Sequence, residues 1–324
     1  MKVVVTGAAG FIGHHVVEFL LQKTGWNLVL IDRLDISGNL NRLAEIGAAK
    51  NPRVRFFYHD LRAPFNELML KQFGQVDYIV HMAAGSHVDR SIEAPMEFVM
   101  DNVVATCNML ELARKIGVKK FMYFGTDEVF GPAPPGVKFK EYDRYNSSSP
   151  YSATKAGAEE LCVAYANTYK LPVQIVHVMN VIGYRQHPEK FLPMLISKLE
   201  RGEEIKIHGT ADLRTSGTRF YIDARDVADA VLMLLNSQSY GKFNVVGERE
   251  TTNLELAQWV AYELCKDLKY SIINAEEARP GHDLRYAMDG SLLKEQFGWV
   301  PRRKIEDRVV EIVHWTRNNR QWLL

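Results

Sequence analysis

The feature that most restricts what this chain can become stands at its start. A β-branched run, Lys2–Thr6, breaks into Gly7, Ala8, Ala9, Gly10, Phe11, Ile12 and Gly13, and a helix-like stretch follows to about Gly25. A strand that passes through closely spaced glycines into a helix permits a tight turn and close approach of backbone N–H groups to a pyrophosphate. The phosphates then meet the positive end of the helix. The spacing is G-x-x-G-x-x-G, whereas the common fingerprint is G-x-G-x-x-G, and a glycine trio alone marks only a turn. The next strand, Leu28–Asp32, ends in a carboxylate. Asp32 can accept hydrogen bonds from both adenosine ribose hydroxyls and would repel an extra phosphate, so NAD is expected in preference to NADP. Arg33 pulls the other way, as a cation beside that position. Gly7, Gly10, Phe11, Ile12, Gly13 and Asp32 are the cofactor-binding candidates. Asp60 and Leu61, after a third strand, read either as a contact to the adenine amine or as an ordinary strand-end loop.

Further strands are expected at Val54–Tyr58, Val76–Met82, Lys119–Gly125 and Pro172–Val178, with helices at Pro95–Ile116 and Ser152–Tyr169. Strand and helix alternating at this spacing predict an α/β fold, a Rossmann-type doubly wound parallel sheet covered on both faces. Residues 1–178 would form the NAD-binding domain. Residues 179–324 would form mainly a smaller, partly interleaved substrate lobe, with helices at Phe191–Arg201, Asp226–Leu235, Asn253–Cys265, Ser291–Phe297 and Ile305–Asn318, and a short strand at Ile205–Ile207.

Forty Lys and Arg against thirty-nine Asp and Glu leave a formal charge of +1, so no overall field draws the chain to nucleic acid or acidic lipid. The three cysteines, Cys107, Cys162 and Cys265, are an odd number and widely spaced. They suit buried thiols in a reducing compartment. The N-terminal apolar run is broken by glycine too early for a signal peptide, and no later stretch approaches a membrane span, so the cytoplasm is expected. His81 and His87 lack a convincing third ligand, and no metal is expected.

The chemistry is carried by two segments. Tyr151 and Lys155 form Y-x-x-x-K, and on a helix this spacing puts both on one face. A lysine cation beside a phenol is expected to lower its pKa from about 10 towards working pH, so that the tyrosine can take a proton from an alcohol while hydride leaves for nicotinamide. Thr126, Asp127 and Glu128 follow the strand Lys119–Gly125, where open parallel sheets place their active crevice. One carboxyl can donate a proton and the other accept one, unless the two simply face water in a solvated turn.

The phrases TGAAGFIG, HMAAGSHVDRSIEAP, GTDEVFG, YSATKAG, HPEKFLP and RPGHDLRYAMD run through essentially the whole chain. In them the chain resembles the extended short-chain dehydrogenase/reductase superfamily, and specifically its nucleoside-diphosphate-hexose 4,6-dehydratases. The resemblance implies a lyase that oxidises the sugar at C4, eliminates water across C5 and C6 and returns the hydride to C6, with NAD tightly bound and recycled. It gives Tyr151 the C4 hydroxyl proton, Lys155 the nicotinamide ribose, Thr126 a hydrogen bond near O4, Glu128 the C5 proton and Asp127 the departing O6. Asn180, Lys190, Arg219 and Arg279 would bind the nucleotide sugar, although Arg219 and Arg279 also read as ordinary surface arginines. Ser86 would touch cofactor or sugar, or be a structural loop serine. His87 and Arg90 would shape the pocket. A homodimer through a four-helix interface of Pro95–Ile116 and Ser152–Tyr169 is also implied.

Two departures bear on the substrate. Gly85 stands where the dehydratase phrase has glutamate, which removes a polar anchor and leaves room, and Val181 replaces a second asparagine in NVIG. The segment Gly209–Ala230 is also longer than usual. The competing readings are an NAD-dependent nucleotide-sugar epimerase, which would not need the Asp127–Glu128 division, and a catalytically silent NAD-binding sensor or scaffold.

Overall fold

Strand β1 (Lys2–Thr6) has Val3, Val4 and Val5 fully buried, as a strand covered on both faces requires. The computed structural model describes residues 1–278, 281 and 283–323. In it β1 pairs in parallel with β2 (Asn27–Asp32) on one side and β4 (Tyr78–His81) on the other, so that Val4 faces both Val29 and Ile79. Parallel pairing continues from β2 to β3 (Val54–Tyr58), and from β4 through β5 (Lys120–Thr126) to β6 (Val173–Val178). With β7 (Gly241–Val245) beyond β6, the seven-stranded order is β7-β6-β5-β4-β1-β2-β3. The chain moves outward one way through β1, β2 and β3 and the other way from β4, and this reversal opens a crevice at the carboxyl ends of β1 and β4.

Contact density divides the chain into two units. One comprises residues 1–129, 149–178 and 227–243, and the other 130–148, 179–226 and 244–324. In the first, Val4, Val29, Ile79, Phe121 and Tyr123 of the sheet pack against Met109, Leu110, Ala113 and Cys162 of the covering helices. In the second, helix Phe191–Arg201 contributes Leu195 and Leu199, Asn253–Glu263 contributes Leu256 and Val260, and Ile305–Asn318 contributes Val309 and Ile312. A parallel pair, Ile205–Gly209 with Tyr270–Asn274, belongs to this unit too.

Two helices differ from their expected form. Pro95–Ile116 is three pieces: α-helix at Pro95–Phe98, a π turn at Val99–Val104, and α-helix again at Ala105–Ile116. The other begins at Pro150 rather than Ser152, because Ser149 caps it: Ser149 accepts from the Ser152 N–H, Ser152 bonds back, and Pro150 takes a first-turn position where no N–H is needed. Cys162 is buried and Cys107 half-buried, but Cys265 is exposed. Its helix ends at Glu263, and Cys265 adopts a left-handed conformation past that end. No helix among the described residues is long and apolar enough to cross a membrane.

Candidate active site

The glycine turn has room for nothing larger at two of its positions. Gly7 has φ +66°, and a Cβ there would stand 2.8 Å from the Ala83 backbone nitrogen; at Gly13 it would stand 2.0 Å from the Gly7 carbonyl oxygen. Helix α1 (Phe11–Lys23) therefore starts hard against β1, with Gly10 at its N-cap and no side chain capping it. Asp32 is buried beside this turn. Its Oδ2 accepts from the Ala9 N–H and its Oδ1 from the Leu34 N–H, both at 2.9 Å. Burial raises its pKa, against those two backbone bonds. A carboxylate has about four acceptor positions, so about two remain for ribose hydroxyls. The turn and Asp32 fit a dinucleotide.

The Arg33 guanidinium beside that site is engaged by other carboxylates. Its Nη1 and Nη2 donate to the two oxygens of Asp101 at 2.5 and 2.6 Å, and its Nε to Asp35 at 2.8 Å. Asp60 takes Arg62 at 2.5 Å; burial pushes its carboxyl up, but the Arg62 guanidinium and backbone N–H, with the Arg33 charge, together hold it below its usual range. Leu61 is buried, and its carbonyl accepts from Asn108 Nδ2 at 2.8 Å.

Behind the turn, Thr6 Oγ1 accepts from the N–H groups of Met82 and Ala83 at 3.1 Å each and lies 2.7 Å from His81 Nδ1. Both Thr6 lone pairs are then used, so its proton goes to Nδ1 and His81 carries its own proton on Nε2, directed at Thr106 Oγ1 at 3.0 Å. This pins the β4 end against the Gly7 turn.

At the carboxyl end of β5, Thr126, Asp127 and Glu128 run into a single 3-10 turn, Asp127–Phe130. Thr126 and Asp127 are buried, and Thr126 Oγ1 donates to Asp127 Oδ1 at 3.1 Å. Tyr151 occupies the first turn of its helix, with its backbone N–H on Ser91 Oγ at 3.1 Å and the Phe98 ring edge-on at 6.4 Å between centroids. The fold brings Tyr151, Thr126, Asp127 and Glu128 together. Burial drives the Tyr151 pKa well above the ordinary phenol value; the Glu128 and Asp127 charges add to this, and the nearby Thr126 hydroxyl opposes it.

The expected lysine-assisted drop in the phenol pKa is thus reversed in this structure. Lys155 lies one turn further along the same face, but its ammonium donates to the Phe124 carbonyl at 2.5 Å and sits 4.3 Å above the Tyr123 ring. Burial lowers its own pKa to about 8, against the nearby Cys162 and Glu159. Glu159, one turn beyond, is fully buried with His177 at 2.9 Å and Lys242 at 3.0 Å. The i, i+4 spacing of Lys155 and Glu159 was the one sequence signal for this group. Nothing in the sequence pointed to Asn102, whose amide bonds both the N–H and the carbonyl of Gly85 and donates to Thr154. At Gly85 a Cβ would stand 3.1 Å from the Phe98 ring, so a side chain there would need that ring to give by a few tenths of an ångström. Ser86 is exposed in the following loop, ahead of the short helix Val88–Glu93 that His87 begins.

The remaining candidates lie in the second unit. Asn180 is half-buried, and its carbonyl accepts from the Ile222 N–H. Lys190 is the N-cap of the helix Phe191–Arg201. Arg219 is not a surface arginine. It is buried, donates to the carbonyls of Thr218, Asp283 and Leu284 at 2.7–2.8 Å and stacks on Tyr286. Arg279 lies outside the described residues.

The family profile described as GDP-mannose 4,6 dehydratase matches residues 4–312. A dTDP-glucose 4,6-dehydratase of Escherichia coli is 35% identical, covering 99% of this chain and 95% of its own. DesIV, a dTDP-glucose 4,6-dehydratase from Streptomyces venezuelae solved with NAD and TYD bound, superposes with a TM-score of 0.90 at 34% identity, covering 99% of this chain and 98% of DesIV. A UDP-glucose 4-epimerase from Thermotoga maritima, solved with UDP-glucose, gives a TM-score of 0.86 at 26% identity, covering 98% of this chain and 99% of its own.

Proposed function

The chain belongs to the GDP-mannose 4,6 dehydratase family, and from that premise we propose that it is an NAD-dependent nucleoside-diphosphate-hexose 4,6-dehydratase, with dTDP-glucose the first substrate to try. The product would be the nucleotide 4-keto-6-deoxyhexose plus water. One observation carries this reading over an epimerase: two carboxyl groups, Asp127 and Glu128, stand close enough to the Tyr151 phenol to shift its pKa. Hydride removal and return at C4 need no such pair, whereas elimination of water needs both a base and an acid.

Gly7, Gly10, Phe11, Ile12, Gly13 and Asp32 would hold the cofactor, with Asp60 and Leu61 on the adenine side and Lys155 at the nicotinamide ribose. NAD, when bound, supplies the two-electron acceptor for C4 and the donor that reduces C6, so no net oxidation results. Tyr151 takes the C4 hydroxyl proton and Thr126 hydrogen-bonds near O4. The resulting ketone acidifies C5–H, which Glu128 removes, and Asp127 protonates the departing O6. Ser86, Asn180, Lys190, Arg219 and Arg279 are assigned to the nucleotide sugar, and residues 179–324 mainly to its binding. Support for a homodimer comes from the exposed Met96 and Met100 on the segment Pro95–Ile116. Near-neutral charge and unpaired cysteines support a cytoplasmic setting.

The test is to incubate the purified chain with several nucleotide hexoses in deuterated water. A product one water lighter, with solvent deuterium at C5, is expected. A product of unchanged mass would make the enzyme an epimerase, and bound cofactor with no conversion would make it a sensor.

A further inference from the structure

The charged side chains around the Asp32 end of β2 do more than neutralise one another. Arg33 directly follows the carboxylate assigned to the ribose, where an arginine can accept the 2′-phosphate of NADP. Its guanidinium fork is closed by Asp101, 68 residues later, through two nearly equal bonds of 2.5 and 2.6 Å, the bidentate geometry that suits a planar guanidinium best. Asp35 holds Nε at 2.8 Å, and Asp60 stands 3.8 Å from Nη1. The neighbouring Arg62 is occupied as well, at 2.5 Å from Asp60 and 3.8 Å from Asp101. Three carboxylates thus face two guanidiniums before Asp32 is counted, so a further dianionic group would enter a region already negative.

Asp101 reaches this place because the helix carrying it widens into the π turn Val99–Val104. Such single-turn π segments recur at functional sites. Its side chain is 10% exposed, so the pair is largely shielded from solvent screening. Asp101 touches none of the residues assigned to proton transfer in the contacts above.

We propose that Asp101 is a cofactor-specificity residue: by holding the Arg33 guanidinium it withholds from NADP a cation placed to receive the 2′-phosphate. The inference rests on the assignment of this turn to NAD. Asp101→Asn keeps the side-chain shape but turns an amide donor towards the guanidinium and removes the charge, which releases Nη1 and leaves Asp35 as the close carboxylate on Nε and Nη2.

The experiment titrates the cofactor-free full-length chain with NAD and NADP by calorimetry, for the wild type and for three variants: Asp101→Asn, Arg33→Ala, and the two together. Asp101→Asn is expected to improve NADP binding relative to NAD by about tenfold, the lower end for a hydrogen bond to a charged group. The double variant is expected to lose that gain. Arg33→Ala alone is expected to leave NADP binding within about twofold, because a guanidinium already engaged contributes nothing to the phosphate. An unchanged ratio in Asp101→Asn, a gain that survives without Arg33, or a loss of NADP binding in Arg33→Ala alone would each overturn the inference. A wild type that binds neither nucleotide removes the cofactor assignment itself, and this inference with it.

Discussion

Replacing His81 by Gln should remove a pH-dependent component of stability whose size follows from the structure. His81 is 1% exposed, its Nδ1 receives the Thr6 proton, and its Nε2 proton points at Thr106. A second ring proton would face the Thr6 hydroxyl, whose lone pairs are already taken by Met82 and Ala83. Burial first, and the Lys155 charge second, carry its pKa from 6.5 down to about 3. Between those values the unfolded chain binds a proton that the folded chain does not, so stability falls as pH drops below about 6.5. One proton gives a slope of about 1.4 kcal/mol per pH unit, so the loss is about 2 kcal/mol at pH 5. It levels off near pH 3, where the folded state binds the proton as well, and above pH 6.5 the group adds no slope. The assay is urea unfolding of wild type and His81→Gln at steps from pH 8 to 5, read as the difference between the two curves. The variant is less stable throughout, but glutamine does not titrate, so its curve should be flatter by one proton. Parallel curves would refute the shifted pKa.

Tyr151→Phe should lower turnover at least about 10²-fold, the usual scale for losing a positioned proton acceptor, while NAD still binds in a titration. Retained turnover would remove Tyr151 from its assigned role. Glu128→Gln should abolish solvent deuterium incorporation at C5, measured by mass spectrometry of the sugar, and unchanged exchange would exclude it as the base. Asp127→Asn should slow loss of water by at least about tenfold more than C4 oxidation, each followed in a single turnover. Equal slowing of both steps would assign Asp127 to binding.

The parts of this molecule legible in its sequence are those set by local pattern. β1 and β3 fall where the β-branched and aromatic runs stand, because turn-forming residues bound each run. Ser149 and Pro150 state where their helix begins once the cap is recognised. The π turn at Val99–Val104 was not legible, since the same apolar spacing serves i→i+4 and i→i+5 bonding over a single turn. Asp101 and Asn102 therefore arrive at their partners unannounced. Arg219 shows a related limit: a charged residue is read as exposed, and only the fold reveals a set of carbonyls waiting for it.

The Tyr151–Lys155 pair marks the deeper limit. Spacing fixes which helix face two residues share, but the end of a lysine side chain settles wherever the best acceptor is, and here that is the Phe124 carbonyl. What remains around the phenol is burial and two carboxylates, which oppose its ionisation, and Thr126, which favours it but does not outweigh them. The dehydration chemistry explains why that opposition is tolerated. In the proposed reaction the base assigned to C5 and the acid assigned to O6 would stand within reach of a sugar whose C4 hydroxyl meets Tyr151, so groups assigned to elimination would disfavour the phenolate assigned to oxidation. On that proposal one cluster would meet two demands at neighbouring carbons, and the same cluster raises the Tyr151 pKa. On the proposed reaction, the positive nicotinamide ring and the substrate hydroxyl would both favour the phenolate, against the burial and carboxylates that raise the Tyr151 pKa.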